Sequence, residues 1–200
     1  GALICNDNKI ADEMYRIQNS SGAVTAPMDS FLVLRGIKTL HVRLQRHCEN
    51  GEKIARWLND QPKVDKVYWP GFESHTNHDI AKRQMRGFGG MISFTLVGNQ
   101  IEDAKQIVKS THLFSLAESL GGVESLICHP ATMTHAGMEP KARLEAGVGD
   151  TLIRISVGIE EVADLLADLE VAFAKTQPGK APASADNKAC KLTPAHPALW

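Results

Sequence analysis

No apolar run in the 200 residues approaches the ~20 needed to cross a bilayer, so a membrane-spanning helix is not expected. Charge of one sign is missing as well. The formal net charge is −1, and Lys and Arg alternate with Asp and Glu instead of clustering, which argues against a nucleic-acid binder. Cysteine is sparse: Cys5, Cys48, Cys128 and Cys190 form no CxxC pair. That excludes a zinc ribbon, a thioredoxin-type motif and a dense disulfide framework, and leaves reduced thiols in a cytoplasmic protein as the expectation. The opening residues GALICNDNKIADEM have no basic flank followed by a long apolar stretch, so no signal peptide is read. They also begin without methionine, directly in an apolar run, and a processed chain or a fragment is expected. A P-loop, a Rossmann fingerprint and a Ser-His-Asp order are all missing.

What remains is a chain with 43% hydrophobic and 22% charged residues, long enough to bury a core without covalent help. A strand over Ala2–Cys5, a polar helix around Lys9–Gln18 and a Ser/Gly loop are predicted first. Residues 27–60 read as one long linking helix: Pro27 and Asp29 suit a first turn, Gly36 is a point of interruption or bending, and Leu40, Leu44, Cys48, Ile54, Ala55 and Leu58 form a stripe at helical period. Residues 61–175 then mix short elements. Strands are predicted over Val64–Trp69, Met91–Val97, His112–Leu116 and Leu152–Val157. Helices are predicted over Asp79–Met85, Ile101–Lys109, Val123–Ile127 and Val162–Ala174. That mixture implies a compact α+β domain. Residues 176–200, rich in Pro, Ala and Lys and without periodicity, are expected to be disordered.

Arg154 demands an explanation. In Leu152–Val157 the residues Ile153, Ile155 and Val157 share one face and Leu152, Arg154 and Ser156 the other. A guanidinium in so apolar a strand needs an anion, and its planar fork suits a carboxylate. Either a ligand or an internal Glu or Asp could supply it. The segment Leu116–Ser125, LAESLGGVES, reads as a strand running into Gly121-Gly122 and then a helix, a junction able to present N–H groups to an anion, or merely to turn the chain. His75, His78, His129 and His135 reach no third ligand at a recognisable spacing, so no metal is expected. RGFGGM at 86–91 leads into a strand and reads as a turn, not a phosphate loop.

Taken together, GAVTAPMDSFLVLRGIKTLHVRLQRHCENGEKIA, VDKVYWPGFESH, KRQMRGFGGMISFTL, LFSLAESLGGVESLICHPATMTHAGM and DTLIRISVGIEEVADLLADLEVAFA make the chain similar to the Cys/Met-metabolism pyridoxal-phosphate (PLP) enzymes, in the cystathionine γ-lyase and γ-synthase branch. The match runs over about residues 1–175. The resemblance implies the C-terminal domain of a fold-type-I (aspartate-aminotransferase-like) enzyme, with a small, mainly antiparallel sheet. Residues 1–26 would end the PLP-binding domain, and 61–175 would hold the substrate carboxylate. It also implies an amino-acid substrate, PLP as cofactor and a homotetramer. By the same resemblance Arg154 grips the substrate α-carboxylate, Ser119 helps position it, Thr134 lies near it, and Glu118 and the pair Gln18-Asn19 favour cystathionine chemistry. The family's PLP lysine lies upstream of anything present here, and Lys9 in NDNKIAD does not match its motif. The chain alone is therefore expected to be inactive. O-acylhomoserine sulfhydrylase or methionine γ-lyase within the family, and a non-catalytic remnant acting as an interaction module, are the competing readings.

Overall fold

A computed structural model describes residues 3–98 and 100–176, in two units divided between His41 and Val42. The first holds two helices and the start of a third. Helix α1, Asn8–Ser21, begins where the Asp7 carboxylate accepts the N–H groups of Lys9 and Ile10 at 2.8 and 3.1 Å, and ends at Gly22 with φ 69°. Helix α2, Pro27–Ile37, starts on a proline with Asp29 in its first turn. Helix α3, Leu40–Asn59, follows after a turn at Lys38 and Thr39. The single helix predicted over 27–60 is thus two. Both the N–H and the hydroxyl of Thr39 turn back to the Gly36 carbonyl, which takes that acceptor out of the helical ladder just beyond the glycine. Residues 3–5, predicted as strand, lie in no element, and Ala2 is outside the described residues.

The second unit is built on a five-stranded sheet: β1 Val64–Tyr68, β2 Met91–Leu96, β3 Ser115–Leu116, β4 Leu126–Cys128 and β5 Leu152–Ser156. Their order is β1-β2-β5-β4-β3, with every neighbour antiparallel except the parallel pair β3 and β4. Helix α3, α5 (Ile101–Ser110) and α7 (Val162–Ala174) supply the apolar side chains that meet the sheet. Ile54 and Leu58, Ile107, and Leu165 and Leus of the same stripe such as Leu169 join Ile92, Phe94, Ile127, Ile153 and Ile155 in one buried cluster. Phe173 stacks on Phe94 and meets Trp57 edge-on. Two short helices, α4 (His78–Gln84) and α6 (Pro140–Glu145), complete the unit. Among the described residues no helix is long and apolar enough to cross a membrane.

Two predicted elements are corrected. Residues 123–127 do not form a helix: after a bend, β4 runs through Leu126–Cys128, and all three residues are buried. A short apolar run enclosed on both faces has no alternation, so periodicity cannot tell it from helix. The strand predicted over His112–Leu116 shrinks to Ser115–Leu116. Asp168, in the middle of α7, takes the N–H groups of His112, Leu113 and Phe114 at 2.8, 2.9 and 3.1 Å, so that segment has no donors left for a ladder. Of residues 176–200, expected to be disordered, Thr176 is buried and its hydroxyl accepts from the Lys63 ammonium at 2.9 Å; Gln177 onward lies outside the described residues.

Candidate functional site

Register decides what surrounds Arg154. In antiparallel pairs, opposed residues share a face. Arg154 stands opposite Ser93 on β2 and Cys128 on β4, while its neighbours Ile153 and Ile155 point into the core. The helices cover the core face, so Ser93, Arg154, Ser156 and Cys128 lie together on the other face of the sheet. Arg154 is half-buried there. Its Nη2 donates to the main-chain carbonyl of Ser119 at 3.3 Å, and among the described residues it has no carboxylate within ion-pairing distance. No described carboxylate therefore supplies the structural ion pair of the alternative reading. Arg143, by contrast, is spent structurally: it donates to the Asp150 carboxylate at 2.6 Å and to the Val148 carbonyl at 2.9 Å.

Ser119 has φ 92°, alone among the described non-glycine residues in the left-handed region. Such a conformation persists only where the surroundings hold it. The following Gly121 has φ 79°, and its N–H donates to the Ser156 hydroxyl at 2.9 Å. Because no helix starts at 123, there is no helix terminus here to draw an anion, and the Gly121 N–H is already committed. The Gly121-Gly122 turn thus bears on the site through the bond of Gly121 to Ser156.

Glu118 is exposed beside Ser119, and its charge reaches Cys128. Burial pushes the Cys128 thiol above its ordinary value; the Arg154 guanidinium opposes that shift, and Glu118 reinforces it. Arg154, Ser119, Glu118 and Cys128 thus form one cluster. Thr134 is not drawn into it by any hydrogen bond: it is exposed, and its hydroxyl lies 2.7 Å from His135 Nδ1. Cys128 and Ser156 were not singled out by sequence reasoning as site residues. Ser156 carried a signal, since it shares the alternating face of Arg154; Cys128 carried none, because nothing local reveals which strand lies beside β5.

Among the described residues the hydrogen bond of Arg154 goes to the Ser119 carbonyl, and the charges acting on Cys128 are those of Arg154 and Glu118, neither of them a lysine. A guanidinium, a serine and a thiol fit a substrate carboxylate; they do not fit a cofactor that must be joined to an amine. Among the described residues no three His, Cys, Asp or Glu side chains gather as metal ligands. A shallow hollow lined by Trp57, Lys63 and Phe173, among others, includes none of the cluster.

The family model described as Cys/Met metabolism PLP-dependent enzyme matches residues 1–174. The chain belongs to that family. A cystathionine beta-lyase of Coxiella burnetii is 53% identical over 174 residues, 86% of this chain and 45% of that protein. A cystathionine gamma-lyase of Dictyostelium discoideum is 49% identical over 175 residues, 88% of this chain and 45% of its own length. A cystathionine gamma-synthase of Mycobacterium bovis is 51% identical over 173 residues, 86% of this chain and 44% of its own. The solved cystathionine gamma-lyase of Lactobacillus plantarum, complexed with L-serine, superimposes with a TM-score of 0.79 at 43% identity, over 86% of this chain and 44% of that one. The chain thus spans somewhat under half the length of the relatives it matches, and its relatives divide among two lyases and a synthase.

Proposed function

We propose that this chain carries the substrate-carboxylate clamp of a PLP-dependent transsulfuration enzyme acting on C–S bonds of cystathionine- or homoserine-derived amino acids, as a γ-lyase or γ-synthase. The supporting observation is the state of Arg154: half-buried, facing the Ser119 carbonyl, and left without a carboxylate among the described residues. A guanidinium so placed is available to a ligand anion, and its fork fits the two oxygens of an α-carboxylate. In this reading Ser119, whose carbonyl meets Arg154, helps position the carboxylate, Glu118 beside it serves a substrate ammonium, and Thr134 belongs to the same site.

When bound to an enzyme, PLP acts as an electron sink for carbanions. This chain's own residues do something else. Arg154 fixes the carboxylate and so the orientation of Cα, a positioning effect that can contribute several kcal/mol to catalysis. The three relatives are named for breaking cystathionine down or for making it, and a carboxylate clamp would serve either direction, so it does not by itself choose lyase or synthase. Cytoplasmic localisation and a homotetramer belong to the same proposal.

Titration of the purified chain with L-cystathionine tests the clamp. Binding is expected, and Arg154→Ala should weaken it by roughly 30-fold, the ~2 kcal/mol low end for a charge pair that is only half-desolvated. No turnover is expected when PLP is added. Equal affinity in parent and variant would make Arg154 structural and refute the reading.

A further inference from the structure

Ser125 is fully buried, yet each of its bonding groups is used. Its N–H donates to one carboxylate oxygen of Glu160 at 2.7 Å and its hydroxyl to the other at 2.9 Å. The same hydroxyl oxygen accepts the Gly158 N–H at 2.8 Å. Glu160 therefore grips a single residue through both of its oxygens, in charge-assisted bonds that are stronger than neutral ones. Neighbouring bonds run in parallel. Ile159 N–H donates to the Val123 carbonyl at 2.9 Å, and Gly121 N–H to the Ser156 hydroxyl. Asn50 on α3, itself fully buried, donates to the carbonyls of Gly158 and Glu160 at 3.1 and 2.9 Å, fixing the segment from behind. At Gly158 a Cβ would overlap the Val123 carbonyl oxygen, so the two segments approach as closely as a glycine permits.

These bonds join residues 121–125 to residues 156–160, the stretch that continues β5. Ser119, in its left-handed conformation, hangs from one end of the joined turn, and its carbonyl meets Arg154 of the same strand. We propose that Glu160 is a positioning residue for the clamp: by holding Ser125, it fixes the 119–125 turn against β5 and sets the Ser119 carbonyl where it orients the Arg154 guanidinium. The inference rests on the clamp reading for its functional meaning, but its geometry can be tested without a ligand.

The experiment uses the purified, isotope-labelled chain, with Glu160→Gln and Ser125→Ala. A glutamine side chain keeps one acceptor oxygen and puts an NH2 group where the other stood, so the two Ser125 donors can no longer each meet a charged oxygen. Amide exchange at Gly121 and Ser125 should rise by ~10-fold or more, because local opening becomes easier. The Arg154 Nε–H signal should shift or broaden, and affinity for L-cystathionine should fall several-fold. Protection of Phe94 and Ile153 in β2 and β5 should be unchanged. Ser125→Ala, which removes only a hydroxyl, should give the same fingerprint and covers the case in which the glutamine variant does not fold. Unchanged Gly121 exchange and Arg154 signal in a folded variant would overturn the proposal. A loss of protection spread evenly over β2 and β5 would do so too, since that marks a merely structural role. If Arg154→Ala leaves affinity for L-cystathionine unaltered while the exchange and Arg154 signals respond as stated, the clamp reading fails and the positioning role stands.

Discussion

Asp168 offers the sharpest test of how this fold is held. It sits on α7, only 8% exposed, and its two oxygens take three main-chain N–H groups: Oδ1 that of His112, and Oδ2 those of Leu113 and Phe114. In Asp168→Asn the better orientation keeps the carbonyl oxygen toward Leu113 and Phe114 and turns the NH2 group toward the His112 N–H. One charge-assisted bond is lost, at about 1.5–3 kcal/mol, and the other two weaken to neutral bonds at about 0.5–1 kcal/mol each. The expected destabilisation is about 2.5–5 kcal/mol. With a urea slope of about 2 kcal/mol/M for a unit of this size, the midpoint should fall by about 1.2–2.5 M at unchanged slope. A drop below about 0.5 M would mean that the three amides find equivalent partners without the carboxylate, and the account of why 112–114 leave the sheet would be wrong.

Other consequences can be checked in the same chain. Cys128 is 1% exposed and its thiol is pushed up by burial, so iodoacetamide should modify Cys5 and Cys48 in the native chain and spare Cys128 until urea is added; peptide mapping that finds Cys128 labelled as fast as Cys48 refutes its buried place on β4 opposite Arg154. His129 donates from Nε2 to the Asp150 carbonyl and accepts at Nδ1 from the Thr132 hydroxyl, and burial holds its pKa below 6.5. The unfolded chain therefore binds the proton first. The neutral ring's contribution is complete above about pH 6.5 and is lost as pH falls toward the depressed value, at up to about 1.4 kcal/mol per unit. Burial, helped by the charges of His78 and Lys66, shifts His75 the same way. Thermal melts between pH 6.5 and 5.5 should show a falling Tm, and a flat profile there would contradict a buried neutral His129. Gly158→Ala should lower stability by about 1–3 kcal/mol or more, since backbone cannot yield to the new methyl as a flexible side chain would; a variant with parental Tm would show that the 123–125 and 156–160 segments are not tightly joined.

Elements whose pattern is local were legible in the chain of letters. The stripe Val162, Leu165, Leu169 and Phe173 places α7 at Val162–Ala174, and the alternation around Arg154 separates its face from Ile153 and Ile155, because both depend on periods of a few residues. The need of Arg154 for an anion could be read the same way, although its choice between a ligand and an internal acid could not. Family resemblance proposed the ligand; among the described residues no carboxylate pairs with Arg154. Beyond that reach lay the order β1-β2-β5-β4-β3, the strand at Leu126–Cys128, the meeting of Cys128 with Arg154, and the bonds of Glu160 to Ser125 and of Asp168 to His112, across 35 and 56 residues. Such pairings are set when helices and strands bury their faces together, and a carboxylate's neighbours on its own helix carry no trace of which distant N–H groups it will meet.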